Sequence, residues 1–233
     1  MTSPDILQTL STGDIEILGR MPYSSNGTFL VQVTLGESST QGIYKPLRGE
    51  RPLWDFPTGL FKREIAAYIV SEVLNFHVVP PTVECDGPFG PGSVQQFVEA
   101  RFEEHYFTLF ESQEHLHDQF RKIALFDVIV NNTDRKSGHC LIDSEDRIWA
   151  IDNGLCFSEQ FKLRTVIWEF GGEEISPILL QSITSLADNP PVELEGLLSS
   201  DEIGAMVERA RLLVTGKVFP VDPSGSRYPW PMV

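Results

Sequence analysis

The sequence predicts an α+β protein of two lobes, an antiparallel sheet with one helix followed by a mostly helical part. Three observations support this class. Strand-type runs separated by turn clusters fill most of the first hundred residues, one amphipathic helical stripe interrupts them, and helical patterns dominate after about residue 99. We therefore expect an N-terminal lobe over residues 1–98 and a C-terminal lobe over residues 99–233.

The first lobe is predicted to follow the order β-β-β-α-β-β after a polar start that receives no element. Its five strands are assigned to the runs IEILGRM, TFLVQVTL, GIYKPL, PPTVEC and SVQQFVE. The clusters PYSSNG and DGPFGPG are typical of turns between such strands. The run LFKREIAAYIVSEVLNF has apolar residues on one stripe and charges opposite, which predicts an amphipathic helix. The stripe consists of Phe61, Ile65, Tyr68, Ile69 and Val73.

The second lobe is predicted to begin with a helix in QEHLHDQFRKIALFDVIVNN. A strand, a turn and a second strand follow, and then two amphipathic helices in SPILLQSITSLA and DEIGAMVERARLLVTG. Asp201 and Glu202 suit the first turn of the last helix, where the helix dipole favours negative charge. The Pro-rich tail DPSGSRYPWPMV is expected to pack across the surface or to fray.

Charge and composition exclude several classes of partner. With 33 acidic and 18 basic residues the net charge is −15, which disfavours binding to nucleic acid and to anionic membranes. We find no signal-peptide pattern and no apolar run approaching the roughly 20 residues that span a bilayer. Cys85, Cys140 and Cys156 have no paired or metal-type spacing, so we expect free thiols in a reducing cytoplasm.

The candidate chemistry centres on two carboxylates, Asp134 and Asp152, at the two ends of the predicted hairpin. Transfer of a phosphoryl group from ATP needs a turn over the phosphates, a lysine with a carboxylate partner, an aspartate at the attacking hydroxyl and an aspartate at the metal. The sequence offers these in order: the turn Ser24, Ser25, Asn26 and Gly27, then Lys45, Glu64, Asp134 and Asp152. Each alone also fits an ordinary turn or a solvated side chain. Their order and spacing together favour the chemical interpretation.

The same residues carry a resemblance to a known family. The runs VVPPT, SVQQFVE, FDVIVNNTDR and AIDNGLCF resemble motifs of the type II phosphatidylinositol 4-kinases and related short bacterial proteins, in the protein-kinase-like superfamily. The resemblance covers roughly residues 15–170 and implies a bilobal protein-kinase-like fold that binds ATP with Mg²⁺ or Mn²⁺. It implies the following roles: an adenine-binding hinge at Gln96, Phe97 and Val98, a catalytic Asp134, a metal-binding Asp152, and a phosphate lysine Lys45 with its helix partner Glu64.

The sequence departs from the family pattern at the metal site and in the segment that attaches family members to membranes. His139 stands where the family has a metal-binding Asn, so we expect His139 to be a metal ligand, suited to Mn²⁺, or a hydrogen-bonding residue. As a ligand, it should lose the metal as the pH falls through about 6.5. The run RGERPLWDFPTG replaces the family's Cys-rich acylated insertion and contains no Cys, so constitutive membrane attachment is not expected. Its Trp54 and Phe56 are interpreted as a structural loop on the helix rather than a membrane contact.

A basic set flanks the predicted site, either to attract an anionic acceptor or to pair with the acidic surface. It consists of Arg135, Lys136, Lys162 and Arg164.

We therefore expect an ATP-dependent kinase of the bacterial cytoplasm. Its acceptor is an unidentified hydroxyl on a protein or on a small polar or inositol-type compound. Two alternatives stay open: a nucleotide-binding pseudokinase that acts as a regulatory module, and a metal-dependent hydrolase that uses Asp134, Asp152 and His139.

Overall fold

The computed structural model describes residues 4–22, 24 and 26–233. Two sheets and six α-helices form in this part of the chain. The elements are, in order, α1 (Pro4–Thr12), β1 (Asp14–Arg20), β2 (Phe29–Leu35), β3 (Ser38–Pro46), α2 (Leu60–Val73), β4 (Thr82–Gly87), β5 (Gly90–Gln96), α3 (Tyr106–Ser112), α4 (His117–Val130), β6 (Cys140–Ile142), β7 (Ile148–Ala150), α5 (Pro177–Asp188) and α6 (Ser200–Gly216).

The first lobe is built on a five-stranded antiparallel sheet in the order β1-β2-β3-β5-β4, which confirms the predicted strands. Alternation along β3 decides which side chain faces which side. Tyr44 is fully buried in one apolar cluster with Val31 and Val94, whereas Lys45, the next residue, points to the opposite face of the sheet. The sheet therefore presents Lys45 on the side where α2 lies.

Helix α1 covers the Tyr44 face of the sheet and was not predicted. Leu10 is fully buried in the same cluster as Val31 and Tyr44, and α1 packs across β2, β3 and β4. With only nine residues, α1 is too short to be stable alone, and its stability must come from this packing. Two helices, α1 and α2, therefore pack on the sheet, where the sequence predicted one.

Helix α2 lies between the lobes, and two of its charged residues, Arg63 and Glu64, are each only 3% exposed. The expected exposed, charged face of this helix is therefore wrong at both positions. Arg63 Nη1 donates to the Cys156 carbonyl at 2.6 Å, and its Nη2 forms an ion pair with Glu202 at the start of α6. The apolar residues in the later part of α2, including Ala66, Ala67 and Val70, belong to the core of the second lobe. The helix is consequently fixed to both lobes at once.

The second lobe has α4 at its centre, and this helix is buried along most of its length. The predicted hairpin is confirmed as β6–β7, and Asp143 closes its turn by accepting hydrogen bonds from the N–H groups of Glu145 and Arg147. Helices α5 and α6 occur where predicted, and Ser199 and Glu202 form a capping box at the start of α6. The short helix α3 was not predicted.

The C-terminal tail packs across the second lobe, one of the two outcomes expected for it. The Met232 carbonyl accepts a hydrogen bond from the Ser137 N–H at 2.7 Å, and the Arg227 carbonyl accepts one from the Thr165 N–H at 3.1 Å. The three cysteines are buried and form no disulfide, as predicted. Within the described residues, no helix combines the length and apolar character needed to cross a bilayer.

The packing of α1 predicts that Leu10→Ala destabilises the protein by about 2–5 kcal/mol, because a large side chain is removed from a closed cluster. The matched control is Leu212→Ala in α6, where the leucine is 70% exposed and little burial is lost. Urea denaturation of both variants measures the difference. Equal free energies of unfolding would contradict the assignment of α1 to the core.

Candidate active site

Eight of the twelve predicted site residues line a cleft between the sheet and the second lobe, with a volume of about 460 Å³. This volume is within the range of small-molecule sites. The cleft brings together Ser24, Asn26, Gly27, Lys45, Glu64, Asp134, His139 and Asp152. Ser25, also predicted to belong to the turn, lies outside the described residues.

Lys45 joins three elements at the bottom of the cleft. Its Nζ forms an ion pair with Glu64 of α2 and lies 2.8 Å from Asp152 Oδ1. The second carboxylate oxygen of Glu64 accepts a hydrogen bond from the Asn153 N–H at 2.9 Å. Burial lowers the pKa of Lys45, but the charges of Asp152 and Glu64 outweigh it and raise that pKa above its ordinary value. Lys45 in turn holds the pKa of Asp152 well below its usual range.

Asp152 has a φ of +60°, in the left-handed region that few residues other than glycine adopt. Aspartate tolerates this region better than β-branched residues do. A Cβ at Gly154, two residues further on, would lie 3.3 Å from Glu64 Oε1, so this segment passes close to α2. The backbone thus places the carboxylate of Asp152 in the cleft beside Lys45 through a turn that costs conformational energy.

Asp134 lies in the loop that follows α4. Asn131 ends the helix in the left-handed conformation, and the side-chain oxygen of Asn132 accepts a hydrogen bond from the Asp134 N–H at 2.9 Å. Lys136 Nζ is 3.5 Å from Asp134 Oδ2. Burial raises the pKa of Asp134, and Lys136 opposes this shift. A raised pKa makes the Asp134 carboxylate a better proton acceptor than an exposed one.

His139 faces Asp152 across the cleft, with Nε2 at 3.5 Å from Asp152 Oδ2. Its Nδ1 lies 3.3 Å from the Lys136 N–H and accepts a hydrogen bond from it, so the proton of the neutral ring is on Nε2. Burial lowers the pKa of His139 to about 4. The ring therefore stays neutral to about pH 4, and the expected loss of metal near pH 6.5 is revised to that lower value.

The donor set suits a divalent metal that is shared with phosphate oxygens. Asp134 and Asp152 offer carboxylate oxygens, the ligands Mg²⁺ prefers, and His139 adds a nitrogen donor that Mn²⁺ accepts readily. Mg²⁺ is commonly bound through one or two carboxylates plus substrate phosphates rather than a complete protein cage. The described residues contain no group of three or more His, Cys, Asp or Glu side chains placed to hold a metal by themselves.

The turn between β1 and β2 is tied to the segment after β3. The Gly27 N–H donates to the Gly49 carbonyl at 2.8 Å, and Asn26 Oδ1 accepts from the Arg51 N–H at 3.0 Å. The Gly27 N–H is therefore engaged by the backbone of this neighbouring segment. The two backbones meet closely, because a Cβ at Gly49 would lie 2.7 Å from the Gly27 carbonyl oxygen.

The predicted hinge lies outside the residues that line this cleft. The Gln96 N–H donates to the Pro81 carbonyl at 2.8 Å, and the Phe97 N–H donates to the Gln41 carbonyl at 3.0 Å. Among the described residues, the Val98 N–H makes no backbone hydrogen bond.

The four basic residues predicted to flank the site behave differently from one another. Arg135 is fully buried and paired with Asp127 of α4, so it cannot meet an acceptor. Lys162 lies 3.3 Å from Asp55, while Arg164 is exposed. The burial of Arg135 could have been predicted from Asp127. This residue is a single carboxylate within the apolar run ALFDVIV, which indicates a buried partner of opposite charge.

The run RGERPLWDFPTG folds as a loop closed by Glu50. The two carboxylate oxygens of Glu50 accept hydrogen bonds from the N–H groups of Gly59 and Phe61 at the start of α2. Phe56 is buried with its ring 5.2 Å from the Arg63 guanidinium, whereas Trp54 is 94% exposed. The structural-loop interpretation is therefore confirmed for Phe56 and is wrong for Trp54.

Comparison with solved structures identifies the class of fold. The structure superposes on a Golgi casein kinase with Mn/ADP bound, with a TM-score of 0.58 and 16% identity over 98% of this chain and 80% of that one. It superposes equally well on hydra Fam20 with sugar, with a TM-score of 0.58 and 14% identity over 91% of this chain and 87% of that one. At these identities the likeness shows the fold alone, which is the predicted protein-kinase-like fold.

Sequence comparison then gives the family. Residues 60–181 match the family model described as phosphatidylinositol 3- and 4-kinase. Protein Rv2133c of Mycobacterium tuberculosis is 38% identical over 95% of this chain and 93% of its own length. Phosphatidylinositol 4-kinase gamma 4 of Oryza sativa subsp. japonica is 29% identical over 66% of this chain, which spans only 33% of the rice protein. The chain therefore belongs to the phosphatidylinositol 3- and 4-kinase family.

The contact between the turn and Gly49 predicts that Gly49→Ala lowers the free energy of unfolding by about 1–3 kcal/mol, because the added methyl group meets backbone atoms. The control is Gly19→Ala in β1, where an added Cβ would have open space around it. We expect the control to change stability by less than ~0.5 kcal/mol. Chemical denaturation measures the free energy of unfolding of the two variants. Equal values would mean that the turn and the segment at Gly49 are not in close contact.

Proposed function

We propose that the protein is an ATP-dependent phosphotransferase that moves the γ-phosphate of ATP to a hydroxyl acceptor. Its catalytic lobes would be residues 1–98, which cover the nucleotide, and residues 99–233, which carry the catalytic and metal-binding loops. Family membership and the kinase-like fold support a phosphotransferase of this general kind. The acceptor and the activity itself belong to the proposal.

One observation carries the proposal: Lys45 contacts both Glu64 and Asp152 in the cleft that also contains Asp134. A lysine held by a helix carboxylate beside an aspartate is the arrangement that phosphoryl transfer needs for charge neutralisation. A hydrolase site built on two aspartates and a histidine has no use for this lysine pair. The geometry therefore favours transfer to an acceptor over simple hydrolysis.

Each side chain has a distinct proposed task. Lys45 would neutralise phosphate charge, and Glu64 would keep its ammonium group in place. Asp134, whose pKa is raised by burial, would orient the acceptor hydroxyl and take its proton. The turn containing Ser24, Asn26 and Gly27 would cover the phosphates, with Ser25 belonging to the same turn. The Val98 N–H and the backbone of Gln96 and Phe97 would meet the adenine.

Asp152 and His139 are the proposed metal-binding residues. A bound Mg²⁺ or Mn²⁺ would neutralise charge on the phosphate oxygens during transfer. Lys45 keeps Asp152 ionised, as a ligand requires. His139 can serve through Nε2 only if that nitrogen gives up its proton, with the loss of the long 3.3 Å hydrogen bond from the Lys136 N–H.

The acceptor is proposed as a hydroxyl on a protein or on a small polar or inositol-type molecule. Relatives by sequence and by fold carry names with different acceptors, phosphatidylinositol in the rice protein and casein in the Golgi kinase. Lys136 and the exposed Arg164 leave positive charge near Asp134 for an acceptor with anionic groups. We propose a cytoplasmic location, without nucleic-acid partners or constitutive membrane attachment.

A pseudokinase is the second candidate, because His139 presents its Nε2 proton to Asp152 where the family has an oxygen ligand. In that state the residue stabilises the Asp152 carboxylate instead of supplying a metal ligand. Such a protein would bind nucleotide and regulate a partner without transfer.

The proposed function predicts transfer of labelled γ-phosphate from ATP, in Mg²⁺ or Mn²⁺, to the protein itself or to one member of a panel of proteins, inositols and phosphoinositides. Asp134→Asn should lower the transfer rate by about 100-fold or more, because the proton acceptor is lost. The matched control is Asp118→Asn, on a carboxylate that is 91% exposed on α4. Nucleotide binding without transfer in the wild type would identify the pseudokinase, and label in free phosphate alone would support a hydrolase.

The metal proposal predicts that His139→Ala weakens Mn²⁺ binding in the presence of ADP by about 10-fold, while metal-free ADP binding is unchanged. His139→Asn, which restores the family's ligand, should shift the preference from Mn²⁺ towards Mg²⁺. Electron paramagnetic resonance of free Mn²⁺ measures the Mn²⁺ affinity of each variant. Displacement of bound Mn²⁺ by Mg²⁺ in the same assay measures the preference between the two metals. If neither variant changes metal affinity, His139 is not a ligand.

A further inference from the structure

We infer that Arg135 is a positioning residue that locks the catalytic and metal-binding loops together from beneath. The inference rests on the proposed function, because it assigns Asp134 and Asp152 to these loops. Arg135 follows Asp134 directly in the chain, and its side chain runs into the core instead of into the cleft. It is fully buried and is the largest such side chain in the described part of the protein.

The first set of contacts fixes Arg135 to α4. Its Nε lies 3.1 Å from both carboxylate oxygens of Asp127, and its Nη2 lies 2.9 Å from Oδ1. The Thr165 hydroxyl donates to Asp127 Oδ2 at 3.1 Å. The carboxylate thus accepts several hydrogen bonds in a site without solvent. Although burial lowers the pKa of Arg135, the charge of Asp127 raises it above its ordinary value, and Arg135 stays charged.

The second set of contacts reaches the two residues on either side of Asp152. Arg135 Nη1 donates to the Ile151 carbonyl at 2.6 Å, and Nη2 donates to Asn153 Oδ1 at 2.7 Å. Asn153 Nδ2 in turn donates to the Ala150 carbonyl at 3.1 Å. The guanidinium therefore bridges the backbone turn that contains Asp152, while its own backbone adjoins Asp134. One planar group sets the distance between the two carboxylates.

The Arg135 backbone adds a third segment to this arrangement. Its N–H donates to the Arg164 carbonyl at 3.0 Å, and its carbonyl accepts from the Val166 N–H at 3.1 Å. The strand-like segment that contains Thr165 therefore lies along the catalytic loop. This segment also carries the exposed Arg164.

Stability alone does not account for a buried ion pair of this kind. Removing two charges from water is costly, and apolar residues of similar volume often give equal or greater stability. Arginine offers five N–H donors in a rigid plane, which lysine cannot reproduce. The geometry of those donors, directed at Asp127 and at both neighbours of Asp152, is what an apolar replacement would lose.

The test therefore replaces the pair as a unit, in Arg135→Met with Asp127→Leu. The two substitutions remove both charges together, so that no charge stays buried without its partner. We expect a folded protein with a melting temperature close to that of the wild type. Its affinity for Mn²⁺ in the presence of ADP should fall by at least 10-fold, and amide exchange across residues 151–155 should become faster. Arg135→Lys should show the same two changes.

Arg209→Met is the control for removing a buried arginine from the same lobe. Arg209 is 7% exposed, and its Nε donates to the Ile129 carbonyl at 2.9 Å, away from the cleft. We expect a lower melting temperature with unchanged Mn²⁺ affinity and unchanged exchange across residues 151–155. If the double variant fails to fold, Asn153→Ala replaces it, because this change removes the Arg135 contact to Asn153 Oδ1, together with the Asn153 hydrogen bond to Ala150, and keeps the ion pair with Asp127.

The outcomes separate the inference from the proposed function. Normal Mn²⁺ affinity and normal exchange in the folded double variant, or in Asn153→Ala, would overturn the positioning role. If wild-type protein binds no Mn²⁺ with ADP, the proposed function fails. The exchange measurement still decides whether Arg135 holds the Asp152 turn, because it needs no bound nucleotide.

Discussion

The contact of Lys45 with Glu64 and Asp152 is the interaction on which the arrangement of the cleft depends. It joins β3, α2 and the loop after β7, three elements from both lobes. Glu64 can reach Lys45 only because α2 is buried between the lobes. Its neighbour Arg63 bonds to the Cys156 carbonyl and pairs with Glu202 at the start of α6. A charged pair of neighbours on a buried helix is costly unless each charge is matched. The matching residues come from opposite lobes, so their pairing fixes the relative position of the lobes.

Much of this arrangement could be predicted from the sequence because it follows short-range rules. The strands follow β-branched runs between turn residues, and the hairpin between Asp134 and Asp152 follows the same rule. Helix α1 could not be predicted, since its nine residues depend on packing against the sheet. The pairing of Glu64 with Lys45 was expected from the family resemblance, but the burial of Glu64 was not, because a charge on an amphipathic helix normally faces solvent.

The overall charge of −15 conceals basic residues at the cleft. Lys45 and Lys136 line the cleft, Arg135 is buried outside its lining, and each of the three lies beside a carboxylate of the fold. An anionic nucleotide approaching an acidic surface gains nothing from long-range attraction. Its binding would depend on short-range charge in the cleft, which is where sequence composition gives least information.

The two aspartates at the ends of the hairpin have opposite electrostatic environments, and this difference supports their separate proposed roles. Lys45 lowers the pKa of Asp152, so this carboxylate remains ionised, as a metal ligand must be. Burial raises the pKa of Asp134 towards the range in which a carboxylate can accept and release a proton. Paired carboxylates whose environments separate their pKa values are a general sign of divided labour. A single hairpin closed from beneath by Arg135 holds both environments within one cleft.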